Sequence, residues 1–153
     1  MTDFINKVLS IVLIIVLGLV LPLNMIGLSN RNTYKLRALN EVQIFIDTVC
    51  DKGYIQNSDL DDLSRKLAST GLILEYEVEE YRIIADEDRV IMAKTCEINY
   101  ERIDANGGTY AIDQGNVIRV NFWEDYQSPE SKLFSRIVGG VDIFNETLAS
   151  LRR

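Results

Sequence analysis

The sequence predicts an α+β protein, in which an N-terminal transmembrane helix is followed by helices packed on a small antiparallel β-sheet. Three observations predict it. The stretch VLSIVLIIVLGLVLPLNMI, Val8 to Ile26, is apolar, and no charged residue occurs from Val8 to Asn30. Apolar residues then recur at three- and four-residue steps as far as Val49, the spacing of a helix face. From Leu74 onward the period changes to two, the spacing of a strand. A chain of 153 residues has room for one membrane segment and one domain. The expected division is an anchor over residues 1–30 and a single α+β head over residues 31–153.

The anchor is argued from length. At about 1.5 Å per residue, Val8 to Ile26 covers roughly 29 Å, close to the ~30 Å hydrocarbon core of a bilayer. Val8, Leu13, Leu17 and Ile26 mark its lipid-facing residues. Pro22 is expected to kink the helix or mark its outer end, which membrane helices tolerate. The rival reading is a secretory signal cleaved after Ser29, with Gly27 and Ser29 as the small residues. Against it, signal apolar regions run to about 7–15 residues. A helix apolar on every face is rarely the core helix of a domain this small. Lys7 precedes the span and Arg31, Lys35 and Arg37 follow it, a bias that by itself places the head in the cytoplasm.

Charge and composition exclude several functions. Of 16 basic and 23 acidic residues, all but Lys7 and Asp3 lie beyond the apolar run, so the head carries the formal net charge of −7. An acidic head repels phosphate backbones, which argues against nucleic-acid binding. The absence of histidine removes the commonest general base and transition-metal ligand. With no nucleophile elbow either, no catalytic residue, cofactor or metal ligand is assigned and the chain is not read as an enzyme. Asp104, Asn106 and Asp113 imitate a calcium loop but lack its terminal Glu and spacing. Asp86, Glu87 and Asp88 read as a solvated turn, and Asn145-Glu146-Thr147 as a chance sequon. Tyr100, Tyr110, Trp123 and Tyr126 read as sheet and core packing before a ligand patch.

The elements of the head follow in order. Leu36, Leu39, Val42, Phe45, Ile46 and Val49 predict a helix over residues 33–51, stopped by Gly53. Ser58 is the expected N-cap of a second helix, with Leu60, Leu63 and Leu67 on its buried face and Gly71 at its end. Its acidic first turn and later Arg65 and Lys66 suit the helix dipole. Leu74, Tyr76 and Val78 alternate with Glu75, Glu77 and Glu79, predicting a strand with a wet carboxylate face. ADED forms a turn, and Val90 to Ile103 a longer strand. DANGGTY predicts a hairpin and Gln114-Gly115-Asn116 a second turn, leading into the strand VIRVNFW. These make three or four hairpin-connected antiparallel strands. Ser128-Pro129-Glu130 then opens a C-terminal helix striped by Leu133, Ile137, Val141, Phe144, Leu148 and Leu151.

An anchor followed by one amphipathic helix and an α+β head is a pilin-like layout. The run FIDTVCDKGYIQNSDLDDLSRKLASTGLILEYEVEEYR, Phe45 to Arg82, resembles small membrane-anchored proteins associated with tight-adherence (Tad-like) pilus and secretion systems of Gram-positive bacteria. The resemblance implies a single-pass cell-membrane protein with an extracytoplasmic head. It also implies partners among pilus or secretion subunits, or further copies of the chain. The chain departs from pilin precursors in having no Gly between Met1 and Lys7 and no Glu in Val8 to Ile26. A minor pseudopilin-type structural component therefore fits better than a processed major subunit. The alternative is a membrane-tethered extracytoplasmic binding or sensor module. For Cys50 and Cys96 two readings stay open: free buried thiols, or, with the head outside the cell, a Cys50–Cys96 disulfide.

Overall fold

The computed structural model describes residues 2–86, 89–124 and 144–152, with side chains described at all of these except 2, 3, 20, 21, 23–28, 30, 85, 86 and 89. The chain divides into two units, Met1–Tyr34 and Lys35–Arg153. The first is the N-terminal part of helix α1 (Thr2–Lys52), and Pro22 lies inside that helix rather than at its end. The expected helix over residues 33–51 is thus the later part of α1.

In the second unit α1 ends at Gly53, whose φ of 75° is the left-handed conformation that glycine adopts without steric cost. A short strand β1 (Tyr54–Gln56) leads to α2 (Asn57–Ser69). Gln56, extended at φ −118° and ψ 161°, is the N-cap in place of Ser58. Asp59 decides this, because its Oδ2 accepts a 3.0 Å hydrogen bond from the Gln56 N–H while its Oδ1 meets Lys52 Nζ at 2.6 Å. That satisfies a donor the helix start would otherwise leave open.

Strands β2 (Leu74–Asp86) and β3 (Arg89–Ile98) form an antiparallel hairpin at the ADED turn, of which residues 87 and 88 lie outside the described ones. The strand predicted to continue to Ile103 stops at Ile98. Asn99 caps a six-residue helix, α3 (Tyr100–Ala105), by accepting from the Arg102 N–H at 3.0 Å. The Asn106-Gly107-Gly108 signal therefore ends a helix instead of turning a hairpin, with the Gly108 N–H donating to Ile103 O at 2.9 Å. The next strand, β4 (Thr109–Ala111), pairs with β1 in a separate two-stranded sheet.

The turn at Gly115 occurs as predicted and opens β5 (Asn116–Glu124). Residues 145–151, expected to be helical, form a strand instead, β6 (Asn145–Leu151), antiparallel to β5 with Val120 opposite Leu148. The rest of that predicted helix, from Ser128 to Val141, lies outside the described residues, as does Tyr126. The main sheet is four-stranded and antiparallel, in the order β3-β2-β5-β6.

One face of this sheet carries the core. Ala38, Val42, Ile46 and Val49 of α1 and Leu60, Leu63 and Leu67 of α2 pack with Val78, Ile98, Ile118, Val120 and Phe122, all but fully buried. Leu36 is not among them; it is 67% exposed. Ala38 begins the buried stripe, one turn later than the pattern of large apolar residues suggested.

Candidate functional site

Two polar clusters occupy the middle of the main sheet, one on each face, and a β-bulge separates them. Tyr81 lies opposite Lys94 and Glu80 opposite Cys96, so β3 has one extra residue, Thr95, at this point. Without it Lys94 and Cys96 would share a face, because side chains two apart in a strand do. With it Lys94 turns to the outer face and Cys96 to the core.

On the core face Glu80, 2% exposed, is the acceptor for a set of donors. Its Oε1 accepts from Asn116 Nδ2 at 2.7 Å and from the Asp113 N–H at 3.3 Å. Its Oε2 accepts from the Tyr110 hydroxyl at 2.6 Å. Burial, then hydrogen bonding with Cys96 and Glu80, pushes the Tyr110 phenol far above its usual range, so the hydroxyl keeps its proton. With that proton on Glu80, the Cys96 thiol donates to the Tyr110 oxygen across 2.9 Å. Every donor named here comes from a different element or loop, and one carboxyl gathers them.

On the outer face Glu79 is 5% exposed, a correction to the wet carboxylate row expected there. It pairs with Lys94 and accepts from the Tyr81 hydroxyl and from Asn121 Nδ2, each at 3.0 Å. The Arg119 guanidinium stacks 4.2 Å over the Tyr81 ring. Burial alone would raise the Glu79 carboxyl, but the hydrogen bonds from Lys94, Tyr81 and Asn121 outweigh it and hold it below the usual 4.5. Glu77 moves the other way: burial, then the charges of Glu97 and Glu79, lift it above 4.5.

The signs of these shifts give opposite pH behaviour. Glu79 contributes stability at neutral pH that is lost as pH falls below 4.5 and through its lowered folded value. Glu77 costs stability at neutral pH, and the cost disappears as pH falls through its raised folded value toward 4.5. Glu77→Gln is therefore expected to stabilise the fold at pH 7 by about 0.5 kcal/mol, the order of a relieved like-charge contact in a sheet. Below about pH 4 the gain should vanish. Glu79→Gln should destabilise at pH 7 and lose its effect in acid. Thermal melts of both variants at the two pH values check this, and equal shifts at both would contradict it.

Cys50 and Cys96 are free thiols. Cys50 lies under β6, its Sγ 3.9 Å from Ser150 O, whereas Cys96 is on β3 at the opposite edge of the sheet. Three strand spacings of about 4.8 Å separate those edges by roughly 14 Å, and a disulfide needs Cα atoms within about 7 Å. The Cys50–Cys96 bridge is accordingly not formed. The aromatic residues do not form one patch either. Tyr110 belongs to the core-side cluster, Trp123 is on the outer face of β5, and Tyr100 donates to Asp61 Oδ1 of α2 at 3.0 Å.

Neither cluster opens onto a cavity. A hollow of about 240 Å³ is lined by Ser64, Ala68, Leu72, Ile73, Leu74 and Tyr76, and a smaller one of about 120 Å³ lies between α1 and α2. Among the described residues no group of three or more Cys, Asp or Glu could hold a metal ion. Glu80 and Glu79 thus lock strands together instead of facing a ligand. Of the anchor residues, Val8, Leu13 and Leu17 are exposed helical positions, Pro22 is helical and exposed, and Ile26 is helical. Among the described residues no helix is long and apolar enough to cross a membrane. The run of described apolar side chains reaches Leu19 and the apolar sequence continues to Ile26. Comparison with protein-family models, curated proteins and solved structures finds no match.

Proposed function

We propose that the chain is a membrane-anchored structural subunit of a pilus-like or secretion assembly, of the minor pseudopilin type. In this reading α1 is anchored through Val8 to Ile26 and the α+β head is held outside the cell for packing against neighbouring subunits. The observation that carries it is the N-terminal part of α1. Its twelve large apolar side chains from Phe4 to Leu19 are 44–73% exposed. Leaving that many in water forgoes on the order of 20 kcal/mol, at about 1.5–3 kcal/mol for each fully buried side chain. No domain of this size has that margin. A bilayer supplies the missing apolar surroundings, and Val8 to Ile26 as helix rises about 29 Å, enough to span it.

The pilin-like layout and the resemblance of Phe45 to Arg82 support the assembly half of the reading. A tethered binding or sensor module is the less favoured alternative, since the 240 Å³ hollow is smaller than the roughly 300–1,000 Å³ of ordinary ligand sites. The test has two parts. Full-length protein should stay in the membrane pellet through alkaline carbonate extraction, and its release would overturn the anchor. Detergent-purified protein should form rings or filaments by electron microscopy, and uniform monomers would overturn the assembly role.

A further inference from the structure

The β2–β3 hairpin outruns the sheet that supports it. β5 pairs with β2 only as far as Arg82 opposite Asn116. Beyond that point Ile83 to Asp86 of β2 pair with β3 alone, in the register Ile83 to Met92, Ile84 to Ile91 and Ala85 to Val90. Ile83 and Met92 share one face of this two-stranded arm, and Ile84 and Ile91 share the other. All four, with Val90, are 38–73% exposed.

The free edge of β3 is guarded unevenly. Among the described residues no strand pairs with that edge, which presents unpaired backbone groups. Proteins blunt such edges with lysines and bulges. The inner half of β3 has both, in Lys94 and the bulge at Thr95. The outer half, Val90-Ile91-Met92-Ala93, has neither, and its side chains are the exposed ones.

We infer that the outer half of β3, Val90 to Ala93, is a docking edge for a second copy of this chain, paired antiparallel edge to edge. Size favours this occupant. The five apolar residues of the arm expose an area on the order of 500 Å², as large as the functional patches of monomers. Two copies would together cover on the order of 1,000 Å², the lower bound for a specific protein interface. Charge also favours it. An antiparallel pairing centred on Ile91 sets Lys94 of each copy alongside the acidic ADED turn of the other. The same acidic turn disfavours lipid as the occupant, because carboxylates are costly in hydrocarbon.

This deepens the assembly reading, rests on its self-association part and is independent of the anchor. The test uses the full-length chain in detergent. Sedimentation should show a concentration-dependent dimer, and Ile91→Lys should weaken its dissociation constant at least tenfold while leaving the thermal midpoint of the head unchanged. With a mild oxidant, Ile91→Cys should crosslink into covalent dimers, and Ile73→Cys, equally exposed but remote from the edge, should not. A wild-type monomer at all concentrations, or equal crosslinking at both positions, would overturn the pairing. If that monomer still resists carbonate extraction, the anchor stands and only the docking edge fails.

Discussion

Replacing Glu80 with Ala is expected to destabilise the head by about 4 kcal/mol, because donors in a dry interior lose their only acceptor at about 1–3 kcal/mol each. The Asn116 amide, the Tyr110 hydroxyl and the Asp113 N–H all converge on this carboxyl. Glu80→Gln should cost less, about 1–2 kcal/mol. Its amide oxygen can still accept from Asn116, and the Tyr110 hydroxyl can turn to donate to Cys96 Sγ, 2.9 Å away. Adding Cys96→Ala to Glu80→Gln removes that second acceptor and should cost more than the two single changes together. Urea unfolding of the variants reads all of these. A loss under about 1 kcal/mol for Glu80→Ala would mean that water reaches the cluster and the locking role is wrong.

The second large effect is at Phe122. Fully buried on β5, its ring meets Phe144 edge-on, with centroids 5.3 Å apart and planes at 70°. Phe144 in turn lies under Lys35 Nζ at 5.0 Å, so α1, β5 and the start of β6 meet through this pair. Phe122→Ala should cost about 4 kcal/mol through lost burial, a cavity and the lost aromatic contact. Phe122→Leu should cost well under half of that. The urea midpoint should fall with the slope unchanged, as expected when stability alone is altered. Equal losses for Ala and Leu would show that ring geometry, not cavity volume, dominates the site.

Much of this architecture is legible in the residues. The absence of charge from Val8 to Asn30 needs no fold to interpret, and Leu60, Leu63 and Leu67 mark α2 by spacing alone. The alternation in β2 and β5 is equally plain. It also held a further message: Tyr76, Val78 and Glu80 are in phase, which puts Glu80 on the apolar face where only a hydrogen-bonded carboxyl is stable. Attention to the Glu75, Glu77 and Glu79 row hides that signal. Other features depend on partners distant in the chain. Phe144 and Leu148 are four apart, a spacing that suits a helix face and a strand face alike, and only pairing with β5 decides for strand. β1 and β4 are three residues each and exist because they pair with one another. The bulge at Thr95 leaves no mark in composition, yet it sends Lys94 and Cys96 to opposite faces.

The placement of the two thiols has a consequence for where this head can fold. Burial raises the Cys50 thiol above its ordinary range, with nearby Asp47 and Asp51 adding to the rise, so little nucleophilic thiolate is present at neutral pH. Cys96 is buried and its Sγ lies against Tyr110. No covalent link between helix and sheet has to be made for the head to reach its native state, and none has to be broken for it to unfold. Its stability is therefore indifferent to redox poise, the same in a reducing cytosol as beyond the membrane. A head built in this way can be assembled on either side of a bilayer without an oxidising catalyst.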